Sequence, residues 1–372
     1  MMKIMSMKKY LDDQPYYLGF SHCYGIGPMR YKKLLEVFGD LKIAYHAKQE
    51  QLSPILGFKI AADFCRFRAG FDLEKKLLEL EKKEITLISQ VDPHYPPQLL
   101  ELIDAPICLY VKGKINLYDW KNMMLLAVVG TRQPTAYGKQ LAKKFAFELT
   151  QAGVTVISGM AIGVDALAHE GALQAKGKTI AVLGCGVDMI YPPSNRWIYE
   201  KILKNNGLII SEFPPGHLVM KGLFVARNRI ISGISAGVLV IEGAKDSGAL
   251  ITARYAAEQG REVYAVPGPI SSSLSAAPNS LLKQGAALVS ETQDVLNGFG
   301  IKTVSIKKKL YLNQNLSNTE TLIIKLLEKE TLLIDEIIIR TQLNALIISQ
   351  QLSNLEIKGL VEKARDGKYQ IK

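Results

Sequence analysis

The residues best equipped for chemistry stand in one string, Lys221-Gly222-Leu223-Phe224-Val225-Ala226-Arg227-Asn228-Arg229, which combines three cations, an amide and an aromatic ring. Cations neutralise phosphates and an aromatic face stacks on an exposed base, the two ingredients of single-strand binding. On a helix, Phe224, Arg227 and Asn228 fall on one face by three- and four-residue spacing. The bland alternative makes Phe224 a core anchor and uses the arginines to tie the helix to neighbouring loops.

A second constellation follows an apolar run: Ala127-Val128-Val129-Gly130-Thr131-Arg132-Gln133-Pro134-Thr135-Ala136-Tyr137-Gly138. Glycine at a strand's end allows close backbone approach, and Thr131 and Arg132 would meet a phosphate at the sheet edge. A surface ion pair is the other use for Arg132. The string is not Gly-x-Gly-x-x-Gly, and the next apolar run leads into Ser158-Gly159 with no acidic residue at its end. A dinucleotide is therefore not expected, and no other cofactor is indicated.

Ser158-Gly159-Met160-Ala161-Ile162-Gly163 and Ser247-Gly248-Ala249 each join an apolar run to a helical pattern. Ser158, Gly159 and Ser247 are thus candidates for phosphate contact or helix capping, and capping alone would explain both serines. Gly25-Ile26-Gly27-Pro28, followed by Arg30, Lys32 and Lys33, resembles a helix-hairpin-helix turn that holds nucleic-acid backbone. A plain interhelical turn with solvated lysines fits as well.

Other matches are decoys. Gly233-Ile234-Ser235-Ala236-Gly237 spells a nucleophile elbow, but its serine follows a helix and precedes a strand, the reverse of the required order. Asp165 and His169 stand four apart with no third metal ligand, so a structural hydrogen bond suits them better. No catalytic set and no metal site emerges.

These groups need a scaffold, and the 372 residues provide one in three textures. Residues 10–80 read as helical from apolar spacing, and 84–299 alternate short β-branched runs with helix-length segments. The expected strands are 125–129, 154–157, 179–183, 208–211, 238–241 and 263–266, separated by helices near 137–150, 164–176, 195–205, 224–235 and 249–259. Continuous apolar strands with such connections predict a doubly wound, mostly parallel α/β sheet with ligands at the strand C-terminal ends. A basic linker containing Lys307-Lys308-Lys309 should precede three helices and a hairpin around Asp366-Gly367, a winged-helix arrangement.

The expected domains are therefore a helical one over 1–80, a Rossmann-like one over 81–300, a linker over 301–318 and a winged helix over 319–372. The formal charge of +11 favours an anionic partner, whether nucleic acid, acidic lipid or nucleotide. Four dispersed cysteines indicate reduced thiols rather than a disulfide framework. Without a signal-peptide pattern or a membrane-length apolar run, a cytoplasmic location with no membrane partner is expected.

Several strings together resemble the DprA/Smf (DNA-processing protein A) family. They are Leu126–Gly138 (LAVVGTRQPTAYG), 153–169 (GVTVISGMAIGVDALAH), 179–192 (TIAVLGCGVDMIYP), 211–216 (SEFPPG), 227–235 (RNRIISGIS), GVLVI with SGALIT, and 260–268 (GREVYAVPG). The resemblance implies an extended Rossmann domain between a SAM-like helical domain and a winged helix. It also implies binding of single-stranded DNA, protection of incoming DNA during natural transformation, loading of RecA, and a homodimer formed through the Rossmann domain. It implies DNA contacts from Gly130, Thr131 and Arg132, and from Lys221 and Phe224. Val225 replaces a usual proline, and 269–278 is rich in serine and alanine where the family favours glycine.

Two rival functions are distinct in kind. A nucleotide hydrolase related to the LOG phosphoribohydrolases would need Pro-Gly-Gly-x-Gly-Thr, a loop that Pro267-Gly268-Pro269-Ile270 breaks. A duplex-DNA regulator would read the major groove through a winged helix whose 340–349 stretch is only weakly basic.

Overall fold

The computed structural model describes residues 2–300, 316–327, 330–364 and 366–371, and in them every side chain except those of 2–11, Leu117 and Lys221. Most of the expected basic linker lies outside the described residues. The chain divides into two compact units, Met1–Ile301 and Lys302–Lys372.

The first unit opens with helices α1 (Met2–His22), α2 (Pro28–Phe38), α3 (Leu41–His46), α4 (Gln49–Leu56), α5 (Phe58–Ala69) and α6 (Leu73–Lys82). Aromatic packing joins them: Phe20 stacks on Phe64 with ring centres 5.3 Å apart, and the Tyr45 ring meets both edge-on. In the Gly25–Gly27 turn, the Arg30 guanidinium donates to the Gly25 carbonyl at 2.9 Å, so that cation helps close its own loop.

The sheet follows. Strands β1 (Ile85–Ser89) and β2 (Cys108–Lys112) precede β3 (Leu125–Val129), α7 (Ala136–Gln151), β4 (Thr155–Ser158), α8 (Val164–Gln174), β5 (Thr179–Val182), α9 (Arg196–Lys204) and β6 (Leu208–Ser211). Then come α10 (Lys221–Ala226), α11 (Asn228–Ile234), β7 (Gly237–Val240), α12 (Gly248–Glu258), β8 (Glu262–Ala265), α13 (Ala276–Lys283), β9 (Ala287–Leu288) and α14 (Thr292–Gly298). The strand order is β1-β2-β6-β5-β4-β3-β7-β8-β9. All pairings from β6 to β9 are parallel, while β2 runs antiparallel to both β1 and β6.

From β3 the chain proceeds outward through β4, β5 and β6, then returns to the other side of β3 with β7. That reversal is a topological switch point, where adjacent connections diverge and leave a crevice at the strand C-terminal ends. Every residue of β3, β5 and β7 is buried, as a sheet covered on both faces requires. Alternation divides the two cores. Along β2, Cys108 and Tyr110 join one apolar cluster with Phe20 and Phe64, whereas Leu109 and Val111 join the other with Leu125 and Ile230.

The doubly wound, mostly parallel fold is as the sequence predicts. The antiparallel β1–β2 pair and the two-residue β9 are additional. The expected helix over 224–235 changes register at Arg227, where the amide of Ile230 reaches back three residues to the Arg227 carbonyl.

The second unit has helices Asn318–Leu327, Ile334–Thr341 and Ala345–Ile357, followed by antiparallel strands Val361–Lys363 and Tyr369–Ile371. Ile323, Ile337, Ile348 and Leu355 form its core. Three helices and a terminal hairpin make the winged helix anticipated from the sequence.

Two histidines in the first unit are held neutral. Burial lowers His22 to about 4 and His169 to about 3. In the unfolded chain both titrate near about 6.5. Between those values the unfolded state binds the extra protons, so stability present above about pH 6.5 is lost as pH falls toward the folded-state values. Each histidine should remove about 1 kcal/mol per pH unit between pH 6 and pH 4. Burial also raises Asp165 and Glu212, which favours the folded form on acidification and opposes this loss. Urea midpoints should therefore drop from pH 7 to pH 5, and by less in His169→Gln; a midpoint independent of pH contradicts the assignment.

Candidate nucleic-acid interface

The switch-point crevice between β3 and β7 is a cleft of about 330 Å3 whose walls include Gly130, Thr131, Arg132, Phe224, Arg227 and Asn228. The loop after β3 is fixed from β7. The Thr131 amide donates to the Glu242 carbonyl at 2.8 Å, and the Glu242 carboxylate accepts from the Thr135 amide (2.9 Å) and hydroxyl (2.7 Å). Gly130 is required by this packing: a Cβ there would lie 2.6 Å from Val164 Cγ2 and 2.9 Å from the Glu242 carbonyl oxygen. The close approach is thus internal, and it positions Thr131 and Arg132 at the mouth.

Arg132 is exposed and forms no ion pair with a described residue. Its guanidinium carbon lies 5.9 Å from the centre of the Phe224 ring, and that of Arg227 lies 5.9 Å from the same ring. The Tyr191 ring completes the surround at 5.6 Å and 36°. Phe224 is half-buried rather than interred, and Tyr191 is 45% exposed. A partly open ring beside an uncommitted cation can take a flat heterocycle on its face and a phosphate at its edge.

Arg227 lies deeper. It is buried, donates to the carbonyls of Gly159 (2.6 Å) and Val182, and faces Asp165 at 3.9 Å. Burial lowers the Arg227 guanidinium from its ordinary value against the pull of Asp165, and raises the Asp165 carboxyl against the pull of Arg227. A Cβ on Gly159 would lie 2.1 Å from an Arg227 guanidinium nitrogen, so only glycine admits this arginine. Asn228 is buried beside it, and its side-chain oxygen accepts from Arg227 Nε at 3.2 Å.

Other expected contacts are placed differently. Ser158 is fully buried and donates to the Val128 carbonyl at 2.7 Å, which corrects its assignment as a phosphate contact: it is a strut beneath the loop. Gly159 likewise serves the packing of Arg227. Arg229 is also a correction, because it is buried away from the cleft between Asp104 (2.8 Å) and Glu212 (2.7 Å). Lys221 begins α10, but its side chain lies outside the described ones.

The decoys resolve as well. Ser235 is buried and donates to the Ile231 carbonyl. Asp165 turns to Arg227, while His169 Nδ1 contacts the Thr179 hydroxyl at 2.8 Å. That hydroxyl donates to the Val156 carbonyl, so the histidine Nδ1 must be the donor toward it. Ser247 caps α12 by accepting from the Ala249 amide. Sequence reasoning missed Tyr191, although it is the penultimate residue of the 179–192 string, on the loop after β5 at the edge where ligands gather.

Fold and cleft define a Rossmann-like α/β protein whose switch-point crevice carries the groups for an anionic ligand with planar rings. Comparison with known proteins makes the class specific. The family profile described as DNA recombination-mediator protein A matches residues 86–300, and the DprA winged helix domain profile matches residues 312–367. The chain belongs to the DNA recombination-mediator protein A (DprA/Smf) family. It is 33% identical to protein Smf of Synechocystis, over 96% of this chain and 99% of that one. The X-ray structure of DNA processing protein A from Streptococcus pneumoniae matches with a TM-score of 0.65 and 35% identity, over 76% of this chain and 95% of that one. A Helicobacter pylori DNA processing protein A, described for its single-stranded DNA binding mode, matches with a TM-score of 0.52 and 32% identity, over 58% of this chain and 95% of that one. Among the described residues, no helix is long and apolar enough to cross a membrane.

Proposed function

We propose that the switch-point cleft binds single-stranded DNA of any sequence, shields it, and presents it to a RecA-type recombinase during natural transformation, without bond cleavage. The observation that carries the reading is the half-open Phe224 ring beside the exposed Arg132 at the crevice mouth. Family membership supports it, as does the single-stranded DNA binding described for the Helicobacter relative. A binding role without catalysis is supported by the inward engagement of the cleft's buried ion pair, with Asp165 spanning Arg227 and the Ala161 amide. We place a second copy of the chain at the far edge of the sheet. There β9 presents exposed Leu288, and a groove of about 410 Å3 is lined by Leu250, Val263 and Leu281.

Oligothymidylate binding across a salt series tests this reading. Arg132→Ala and Lys221→Ala should each weaken binding to every sequence and reduce the slope of log K against log salt by about 0.7, the value for one phosphate on a single strand. Unchanged affinity and slope in both would remove the site. The recombinase role predicts faster RecA filament assembly on strands coated with single-strand-binding protein, and no gain in rate would reject it.

A further inference from the structure

Next to the Phe224 cleft runs a second groove of about 460 Å3. Arg132 and Lys139 stand in its walls, Ile162, Ala166 and Leu167 give it an apolar lining, and Asn195 belongs to it too. Arg132 is common to both hollows, so they adjoin at that side chain. Asn195 is locked in place, its side-chain amide donating to the carbonyls of Met160 (2.8 Å) and Ala161 (3.2 Å). It immediately precedes α9, which starts with Arg196 and Trp197 at the ligand-binding edge of the sheet.

Trp197 is 42% exposed, and the Lys201 ammonium sits 5.1 Å from its ring centre. Arg196 is exposed beside it. A tryptophan flanked by cations, two residues beyond the groove residue Asn195, repeats the aromatic-and-cation composition of the Phe224 site. Stacking on such a ring tolerates any base.

We infer that the bound single strand leaves the Phe224 cleft over Arg132, follows the groove past Lys139, and stacks a further base on Trp197. This rests on the reading of the cleft as a single-strand site. Trp197 is then a DNA contact that lengthens the footprint, and Arg196 and Lys201 serve the adjoining phosphates.

The chain's other tryptophan, Trp120, is buried with its indole N–H donating to the His94 carbonyl, so it is insulated from ligand. Fluorescence therefore reports on Trp197 in the full-length protein, while anisotropy of a labelled oligonucleotide reports binding independently. A thymidylate 12-mer should bind and quench tryptophan emission; a 4-mer at saturation should bind with much less quenching. Trp197→Ala should weaken the 12-mer by about 5- to 150-fold, the range for one stacked base, and leave the 4-mer unchanged. Trp197→Phe should retain most of the affinity while abolishing the quench. Equal quenching by both lengths, or a 12-mer that binds Trp197→Ala like the parent, overturns the proposed path while sparing the cleft. If neither length binds, the reading of the cleft fails and the path fails with it.

Discussion

Replacing Arg229 with alanine should cost about 3–5 kcal/mol of folding stability, because it leaves a buried carboxylate without its partner. Glu212 keeps only 11% of its side chain exposed, and its carboxyl is raised by burial even against the pull of Arg229. Burial works to lower Arg229 itself, but Glu212 and Asp104 outweigh it and leave the guanidinium raised. One arginine thus ties α11 to the loop before β2 through Asp104 and to the end of β6 through Glu212. Urea unfolding of Arg229→Ala should show a large fall in midpoint. The double variant Arg229→Met/Glu212→Leu should recover much of the loss, since an apolar pair of similar volume demands no charge compensation. Per folded molecule, Arg229→Ala should bind oligonucleotide with the parental salt slope. A reduced slope would return Arg229 to the interface.

Phe224→Ala should have the larger consequence for binding. Losing one stacked base costs about 1–3 kcal/mol, with little change in salt dependence because no phosphate contact is removed. Tyr191→Ala should weaken binding less, since the ring lies beside Phe224 rather than between the two arginines. The two substitutions should not be additive. Paired rings couple by about 0.5–1.5 kcal/mol beyond the area they bury, and a double-mutant cycle on oligothymidylate affinity measures that term. Coupling near zero would mean that the rings act separately, and parental affinity in Phe224→Ala would mean that no base stacks there.

Much of this was legible in the sequence because a parallel sheet writes itself as uninterrupted apolar runs. β3 and β6 fall where those runs predict, β5 ends one residue early, and β4, β7 and β8 are each shifted by one residue. β9 is two exposed residues with no periodicity to read. β1 and β2 are joined by a long loop instead of a crossover helix, so they lack the alternation that marked the others. Spacing also placed Phe224, Arg227 and Asn228 on one wall, and the break at Arg227 did not disperse them.

Depth was the missing information. Arg132 and Arg227 have the same chemistry in sequence, yet one is exposed and the other is buried beneath the same ring. Arg229, two residues further on, is turned toward Glu212 by the helix rotation, and nothing in the string RNR distinguishes it from a phosphate ligand. Ser158 looked like a loop serine but ends a central strand, where a hydroxyl has only carbonyls for partners. Tyr191 shows the converse: it lies far from Phe224 in sequence, and only the order of the strands brings the two rings together.

The central claim is that unpaired DNA lies across the crevice beside β3 and β7, with a base against Phe224. Photocrosslinking of the full-length protein to an oligonucleotide carrying 5-iododeoxyuridine, followed by peptide mapping, tests it most directly. The account predicts adducts on Phe224 and Tyr191 that disappear when unlabelled single strand competes. Adducts confined to the winged helix, residues 316–371, would contradict it.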